Sequence, residues 1–465
     1  MSRYLVLLFI ILIMVGCVSK NETEDMIVLT QKEFNYKIPT SSKKLQFDWW
    51  KSFNSKELEK LISMALKDNF NVQTALLKIK EADLQYKRDK TTLFPHVNFS
   101  TGYTRNKTKQ KGFPTVATNQ YTLGINTSYE IDLWGKIREG IKITDLNKLE
   151  QLAAFNTAII TVSSEIAKNW LNILSIREKK KILEEQIFFA KQKLYVLEAN
   201  YINNIATLND FISTKQQLIS YKNELVQLEA EERISLNQLN LLIGKSSTEP
   251  IKVTNNSLPK MPPLLDIGLP VDLLKNRPDV KAAQIKLAKA FSNVKLAKTD
   301  RFPKLTLSAN FDYNSNRIST IFDNWVFNLA ANLAYPLIDY GKRKLNVEIA
   351  KIQKNEAFIN YKNTVFTAIK EVEDALINLK KSKEILNIIT EQISSEKNKL
   401  SNIENDYLSG KTNYINVLST KISLLNYQKS SIDAKLNYFL NLINLYKAAG
   451  GKYYEKLAKV KERKK

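Results

Sequence analysis

The sequence predicts a mainly α-helical chain carrying a small set of membrane-type β-strands, built from one half used twice. Three observations predict it. Collinear internal matches recur at a nearly constant spacing, long stretches contain neither Gly nor Pro, and four short segments alternate apolar and polar residues with period two. Only 12 Gly and 11 Pro serve 465 residues, so helices have few places to stop.

The N-terminus reads as an export signal. Arg3 precedes an apolar run from Leu5 to Val15, then Gly16 and Cys17. At about 1.5 Å per residue such a run falls well short of a bilayer core of about 30 Å, and it has the length of a signal-peptide core. Met14-Val15-Gly16-Cys17 resembles the bacterial lipobox, with Met14 where Leu is usual. That makes 1–16 a lipoprotein signal peptide and Cys17, the chain's only Cys, the lipidation site. An unlipidated signal or a short anchor, with Cys17 incidental, is the alternative reading. Val18 in place of Asp resembles the sorting pattern that favours the outer membrane, whose lipid is the expected partner of the acyl chains.

A lipidated segment (17–54) leads into the first repeat half (55–244), a Pro-rich linker (245–277), the second half (278–449) and a basic tail (450–465). Phe94-Pro95 recurs as Phe302-Pro303, 208 positions later. Tyr129 to Arg138 matches Tyr335 to Lys344, and Tyr201 to Lys215 matches Tyr407 to Lys421, both 206 positions on. Each half opens with a helix, expected over Ser55 to Thr92 and Asp279 to Asp300, that stops at Phe-Pro.

Strands follow at about 96–104, 120–130, 304–313 and 325–335. Leu305, Leu307, Ala309, Phe311 and Tyr313, for example, alternate with Thr306, Ser308, Asn310 and Asp312. A soluble sandwich with one wet face is one reading of such strands, and a membrane barrel the other. Four strands cannot close a channel-sized barrel, and an open edge is forbidden in lipid, so a barrel requires several chains.

From Ile141 to Ile243 and from Lys342 to Ser409 there is neither Gly nor Pro. Breaks near Asn203-Asn204 and Gly410 fold each stretch into an antiparallel hairpin whose first helix is about 60 residues, or about 90 Å. The stripe Leu208, Ile212, Leu218, Leu225, Leu228, Leu236, Leu239 and Ile243 predicts coiled-coil contact.

Composition excludes several functions. Net charge is +23, but the Lys residues are scattered among Glu and Asp, which gives no groove or stacking platform, so no nucleic-acid partner is expected. One Cys and one His exclude a disulfide scaffold and a His/Cys metal or haem site, so no cofactor or metal is expected. His96 beside Pro95 forms no catalytic triad, and Glu371, Glu373 and Asp374 lie within a long helix, so an enzyme is not indicated. A lipid-anchored coiled-coil scaffold is the structural alternative; the four amphipathic strands argue against it.

Together, Asp48-Trp49-Trp50 with Phe53 and Leu58, Arg277-Pro278-Asp279-Val280, both Phe-Pro strand starts, Tyr129-Glu130-Ile131-Asp132-Leu133-Trp134-Gly135, and Tyr407, Gly410, Val417 and Leu418 resemble the outer-membrane factor (TolC-like) family, specifically its lipoprotein branch. The resemblance implies a homotrimeric 12-stranded β-barrel continued by a long α-helical coiled-coil tunnel through the periplasm. Gly135 and Gly341 would mark the turns from strand to helix. The implied function is a passive exit duct in a tripartite efflux system. Its partners would be a periplasmic adaptor (membrane fusion protein) and an inner-membrane efflux transporter of the resistance-nodulation-division type, with type I protein secretion as the alternative. In this family the second hairpin constricts the tunnel, often through Asp rings at the positions of Asn416 and Ser419. Here both carboxylates are missing, which leaves Ile415 as an apolar constriction and Asp210 and Asp406 as the nearby acidic candidates.

Overall fold

The computed structural model describes residues 45, 48–249, 251–268, 270 and 276–450. The signal peptide, Cys17, most of the segment after it and the basic tail beyond Gly450 lie outside the described residues.

The first half runs α1 (Lys56–Asp68), α2 (Phe70–Lys90), β1 (His96–Thr108), β2 (Val116–Ile131), α3 (Lys136–Ile202) and α4 (Leu208–Leu242). The second runs α5 (Pro278–Thr299), β3 (Lys304–Ser315), β4 (Trp325–Ala334), α6 (Lys342–Leu408) and α7 (Tyr414–Ala449). Both α3 and α6 have 67 residues, so each extends about 100 Å.

The opening helix differs from the sequence expectation, because the chain breaks at Asn69. That residue adopts an extended backbone, and its side-chain oxygen accepts hydrogen bonds from the Asn71 and Val72 N–H groups at 2.9 and 3.2 Å. Its amide donates to the Leu242 carbonyl at 2.8 Å. An Asn that can start a new helix and also satisfy the end of α4 outweighs the cost of interrupting the old one. Gly244, at φ +77°, lies so close that a Cβ there would sit 2.2 Å from the Asp68 carbonyl oxygen.

The core lies where the two hairpins run side by side. Trp170, Phe439 and Tyr446 are fully or almost fully buried, and Trp49, Trp50 and Phe53 pack into the same cluster. Trp49 meets Tyr446, and Phe53 meets Phe439, both with ring centroids 5.8 Å apart. The Pro-rich linker is more than a spacer. Val253 and Leu265 are buried in this core, and Arg177 Nη1 donates to the Val253 and Asn255 carbonyls at 2.7 and 2.9 Å. Of the predicted coiled-coil stripe, Leu218, Leu228, Leu239 and Ile243 are buried, whereas Leu208 and Ile212 at the start of α4 are exposed within the single chain.

Glu57 ties three segments together. One carboxylate oxygen accepts from Trp170 Nε1 at 2.8 Å, and the other accepts from the backbone N–H and hydroxyl of Thr254. Burial pushes this carboxyl upward, but the hydrogen bonds outweigh it and the pKa falls below the usual 4.5. A lowered folded-state pKa means that Glu57 stabilises the fold fully above pH 4.5 and loses that contribution as pH falls through its folded value. Glu57→Gln is therefore expected to melt below the parent protein at neutral pH. The gap between the two thermal midpoints should narrow on acidification below pH 4.5; a gap independent of pH would contradict the assignment.

Candidate functional site: a strand platform and two hairpin tips

The four strands form one antiparallel sheet in the order β1-β2-β3-β4, and among the described residues β1 and β4 are its free edges. Alternation sends Phe99, Ile125, Phe311 and Phe327 to one face, and Asn98, Asn126, Asn310 and Asn328 to the other. On the polar face, Asn126 Nδ2 donates to Ser100 Oγ at 3.4 Å. Gly124 makes room there for Asp312, since a Cβ at Gly124 would fall 1.9 Å from the Asp312 carboxylate.

Aromatic residues gather at two levels of this sheet. At the hairpin end Tyr103 packs on Tyr121 (4.9 Å), Phe311 on Trp325 (5.8 Å) and Tyr313 on Phe322 (5.2 Å). At the helical end Trp134 stacks on Phe302 at 4.7 Å and donates its indole N–H to the Pro303 carbonyl at 2.8 Å. From Tyr121 to Tyr129 the strand runs about 26 Å, which at the ~40° tilt of outer-membrane strands covers about 20 Å of the ~25 Å apolar band. Among the described residues no helix is long and apolar enough to cross a membrane.

Gly135 and Gly341 are the N-caps of α3 and α6, with φ of +75° and +81°, a conformation that Gly reaches without penalty. Nearby carboxylates finish both turns. Asp132 accepts from the Ile137 and Arg138 N–H groups at 3.0 Å, and Asp339 accepts from Gly341 N–H at 3.1 Å and Arg343 Nε at 2.6 Å. Each long helix thus starts with a strand-to-helix turn fixed by an Asp–Arg pair.

At the far end the two hairpin turns are copies of each other. Asn204 and Gly410, 206 positions apart, both take positive φ (+58° and +73°), and Thr207 and Asn413 cap the following helices. Asp210 closes a capping box: its carboxylate accepts from Thr207 N–H at 3.2 Å and from Thr207 Oγ1 at 2.6 Å. These hydrogen bonds hold its carboxyl below the usual range. The counterpart in the second hairpin is Asn416, whose amide donates to Thr412 Oγ1 at 2.8 Å.

Ser419 donates to the Ile415 carbonyl at 2.7 Å, within its own helix. Ile415 is half-buried, and Asp406 lies 4.0 Å from Lys411. The acidic residues named from sequence are therefore engaged in local pairs: Asp210 in a cap and Asp406 with a lysine.

Sequence reasoning missed the ties that hold α7 against its neighbours. Glu224 on α4 accepts from Lys429 Nζ at 2.8 Å, Gln186 on α3 donates to Asn426 at 2.7 Å, and Lys421 on α7 pairs with Glu404 on α6 at 3.0 Å. Lys179 on α3 also pairs with Asp433. The repeat spacing carried a signal for these contacts, because Glu224 and Lys429 lie 205 positions apart and so stand at nearly equal heights in the two halves. No group of His, Cys, Asp or Glu among the described residues could hold a metal ion.

The family model described as outer membrane efflux protein matches residues 61–245 and 269–451, one block per half. The chain belongs to that family. It is therefore an outer-membrane channel protein of a tripartite efflux system rather than an enzyme. Among curated relatives, the pyoverdine export outer membrane protein OpmQ of Pseudomonas aeruginosa is 26% identical over 416 residues, covering 87% of each chain. The cation efflux system protein CusC of Escherichia coli is 26% identical over 412 residues, covering 87% of this chain and 88% of that one. These relatives favour efflux over protein secretion.

Among solved structures, the outer-membrane channel OprN superposes with a TM-score of 0.83 at 21% identity, over 92% of this chain and 98% of that chain. The CmeC channel of Campylobacter jejuni gives 0.81 at 22% identity, over 96% and 97%. At these identities the likeness establishes the fold.

Removing the first cap tests the geometry of the tips. Thr207→Ala is expected to cost the start of α4 about 1 kcal/mol. Hydrogen exchange should then quicken at amides 207–211 and stay unchanged around 413–417; equal rates in parent and variant would show that the capping box contributes nothing.

Proposed function

We propose that three copies of this chain close one 12-stranded barrel in the outer membrane, with their helical hairpins forming a tunnel through which an inner-membrane transporter, coupled by a periplasmic adaptor, expels small molecules. The observation that carries this reading is the open sheet. It has an outer apolar face bounded by two aromatic levels, two free edges, and direct continuation into helices of 67 residues. Lipid cannot satisfy the edge backbone groups, so other strands must do so.

Cys17 anchors the mature chain to the outer-membrane lipid through its acyl groups. The hairpin tips at 203–207 and 409–413 are the docking end for the adaptor. Pyoverdine, cations and antibiotics all appear in the names of relatives, the last in the antibiotic efflux pump outer membrane protein ArpC of Pseudomonas putida, 25% identical over 421 residues. Such unlike cargoes on one channel architecture support a duct whose selectivity is set upstream.

The constriction at the second hairpin is formed by Ile415 with neutral Asn416 and Ser419, so it lacks a carboxylate ring. Purified protein in planar bilayers should conduct, and millimolar divalent cations on the tunnel side should leave the current nearly unchanged. Asn416→Asp should introduce cation block and shift the reversal potential toward cation preference. Absence of any conductance would overturn the duct; strong block of the parent protein would overturn the neutral constriction.

A further inference from the structure

The first β-hairpin carries a charge pattern that passive conduction does not use. Between Asp89 and Glu130 the sequence has no acidic residue, yet Arg105, Lys107, Lys109 and Lys111 follow one another at every second position. All four are exposed, and among the described residues none pairs with a carboxylate.

The strand register places the first two. Arg105 lies opposite Asn119 and Lys107 opposite Ala117, in the same column as Tyr103 opposite Tyr121 and Phe99 opposite Ile125. They therefore continue the apolar outer face, not the face of Asn98 and Asn126. Tyr103 and Tyr121 form part of the aromatic level at the hairpin end, and the Tyr103 hydroxyl donates to Asn119 Oδ1 at 3.1 Å, toward the height of Arg105. Along β1, Arg105 and Lys107 come about 7 and 14 Å after Tyr103. With the strand tilted by ~40°, they stand about 5 and 10 Å above the aromatic level. Aromatic girdles mark the edge of the hydrocarbon, and the headgroup layer outside it begins at that height and is about 5–8 Å thick.

The fold itself does not call for these cations. Shifted by the 208 positions of the repeat, Arg105 and Lys107 become Tyr313 and Ser315 at the same end of β3, and that strand pairs regularly without them. Nor can the two hairpins neutralise each other. Beyond the aromatic level, residues 105–120 and 314–324 hold Arg105, Lys107, Lys109, Lys111 and Arg317 against Asp323 alone, an excess of four positive charges per copy. Bringing further copies around a barrel multiplies that excess instead of cancelling it.

Resting on the barrel and orientation proposed above, we propose that Arg105, Lys107, Lys109 and Lys111 bind the phosphate groups of an anionic glycolipid in the outer leaflet. Its acyl chains lie against the apolar column of Phe99 and Tyr103 below them. A guanidinium can donate two parallel hydrogen bonds to one phosphate, and the lysines add point charges around it. A lipid satisfies the apolar and the basic parts of this face together, whereas a soluble polyanion would use only the second.

Native mass spectrometry of the full-length protein, released from phosphatidylcholine vesicles that contain bisphosphorylated lipid A, tests the site. The parent protein should retain lipid A, and retention should fall by about tenfold or more when the lipid's phosphates are removed. Replacing the four residues together (Arg105→Gln, Lys107→Gln, Lys109→Gln, Lys111→Gln) should lose the same retention while oligomer mass and conductance stay at parent values. Exchanging one cation for the other (Arg105→Lys, Lys107→Arg, Lys109→Arg, Lys111→Arg) should keep most of it. Equal retention of phosphorylated and dephosphorylated lipid by the parent overturns the proposal without recourse to any variant. So does a glutamine variant that holds lipid A as the parent does; if that variant also loses its oligomer mass, the cations pair with the next copy instead. A parent protein that conducts yet ignores the phosphates overturns the lipid site and leaves the duct standing. One that discriminates the phosphates yet never conducts overturns the duct alone.

Discussion

The backbone of an edge strand in lipid has no water to bond, and most of this structure follows from that constraint. Four strands with apolar outer residues can live in a membrane only as part of a closed ring, yet four are too few to enclose a passage. The chain supplies part of a barrel and leaves both edges open for others to close. Duplication makes this economical, because a half that pairs with its own copy inside one chain already has the surface needed to pair with the next chain.

The same repetition organises the helices. Each strand pair hands over to a 67-residue helix through a Gly at positive φ and an Asp–Arg pair, so the barrel and the tunnel are continuous. The long helices lack the packing partners of a compact domain along most of their length. The largest source of rigidity is the aromatic belt around Trp170, Phe439 and Tyr446, into which the N-terminal Trp49-Trp50 segment and the Pro-rich linker are drawn. Below that belt a second apolar cluster of Leu183, Ala190, Leu218, Tyr221, Leu228 and Ile422 packs the hairpins together, and polar ties such as Glu224–Lys429 flank it.

Much of the architecture was legible in the sequence. Period-two alternation located the four strands, and the scarcity of Gly and Pro located the long hairpins. Positive-φ turns were visible at Gly135, Gly341 and Gly410, where Gly itself is the signal, but Asn204 shows that the first tip uses Asn for the same turn. The break at Asn69 was not legible, because its cause is a hydrogen bond to Leu242, 173 residues away. Nor was the engagement of Asp210, since a carboxylate three residues after a Thr reads equally as a pore residue or as a capping box until the turn is seen. The linker's role was hidden for a similar reason: proline spacing marks a boundary but says nothing about which backbone carbonyls Arg177 will reach.

The central claim is that the two edges of this sheet are paired in the membrane by copies of the chain itself. Amide hydrogen exchange on the membrane-inserted protein measures this most directly. The account predicts that the outward-facing amides of β1 and β4 exchange as slowly as those of β2 and β3, because every strand has neighbours on both sides. Fast exchange confined to β1 and β4, with β2 and β3 protected, would mean an open sheet and would contradict the account.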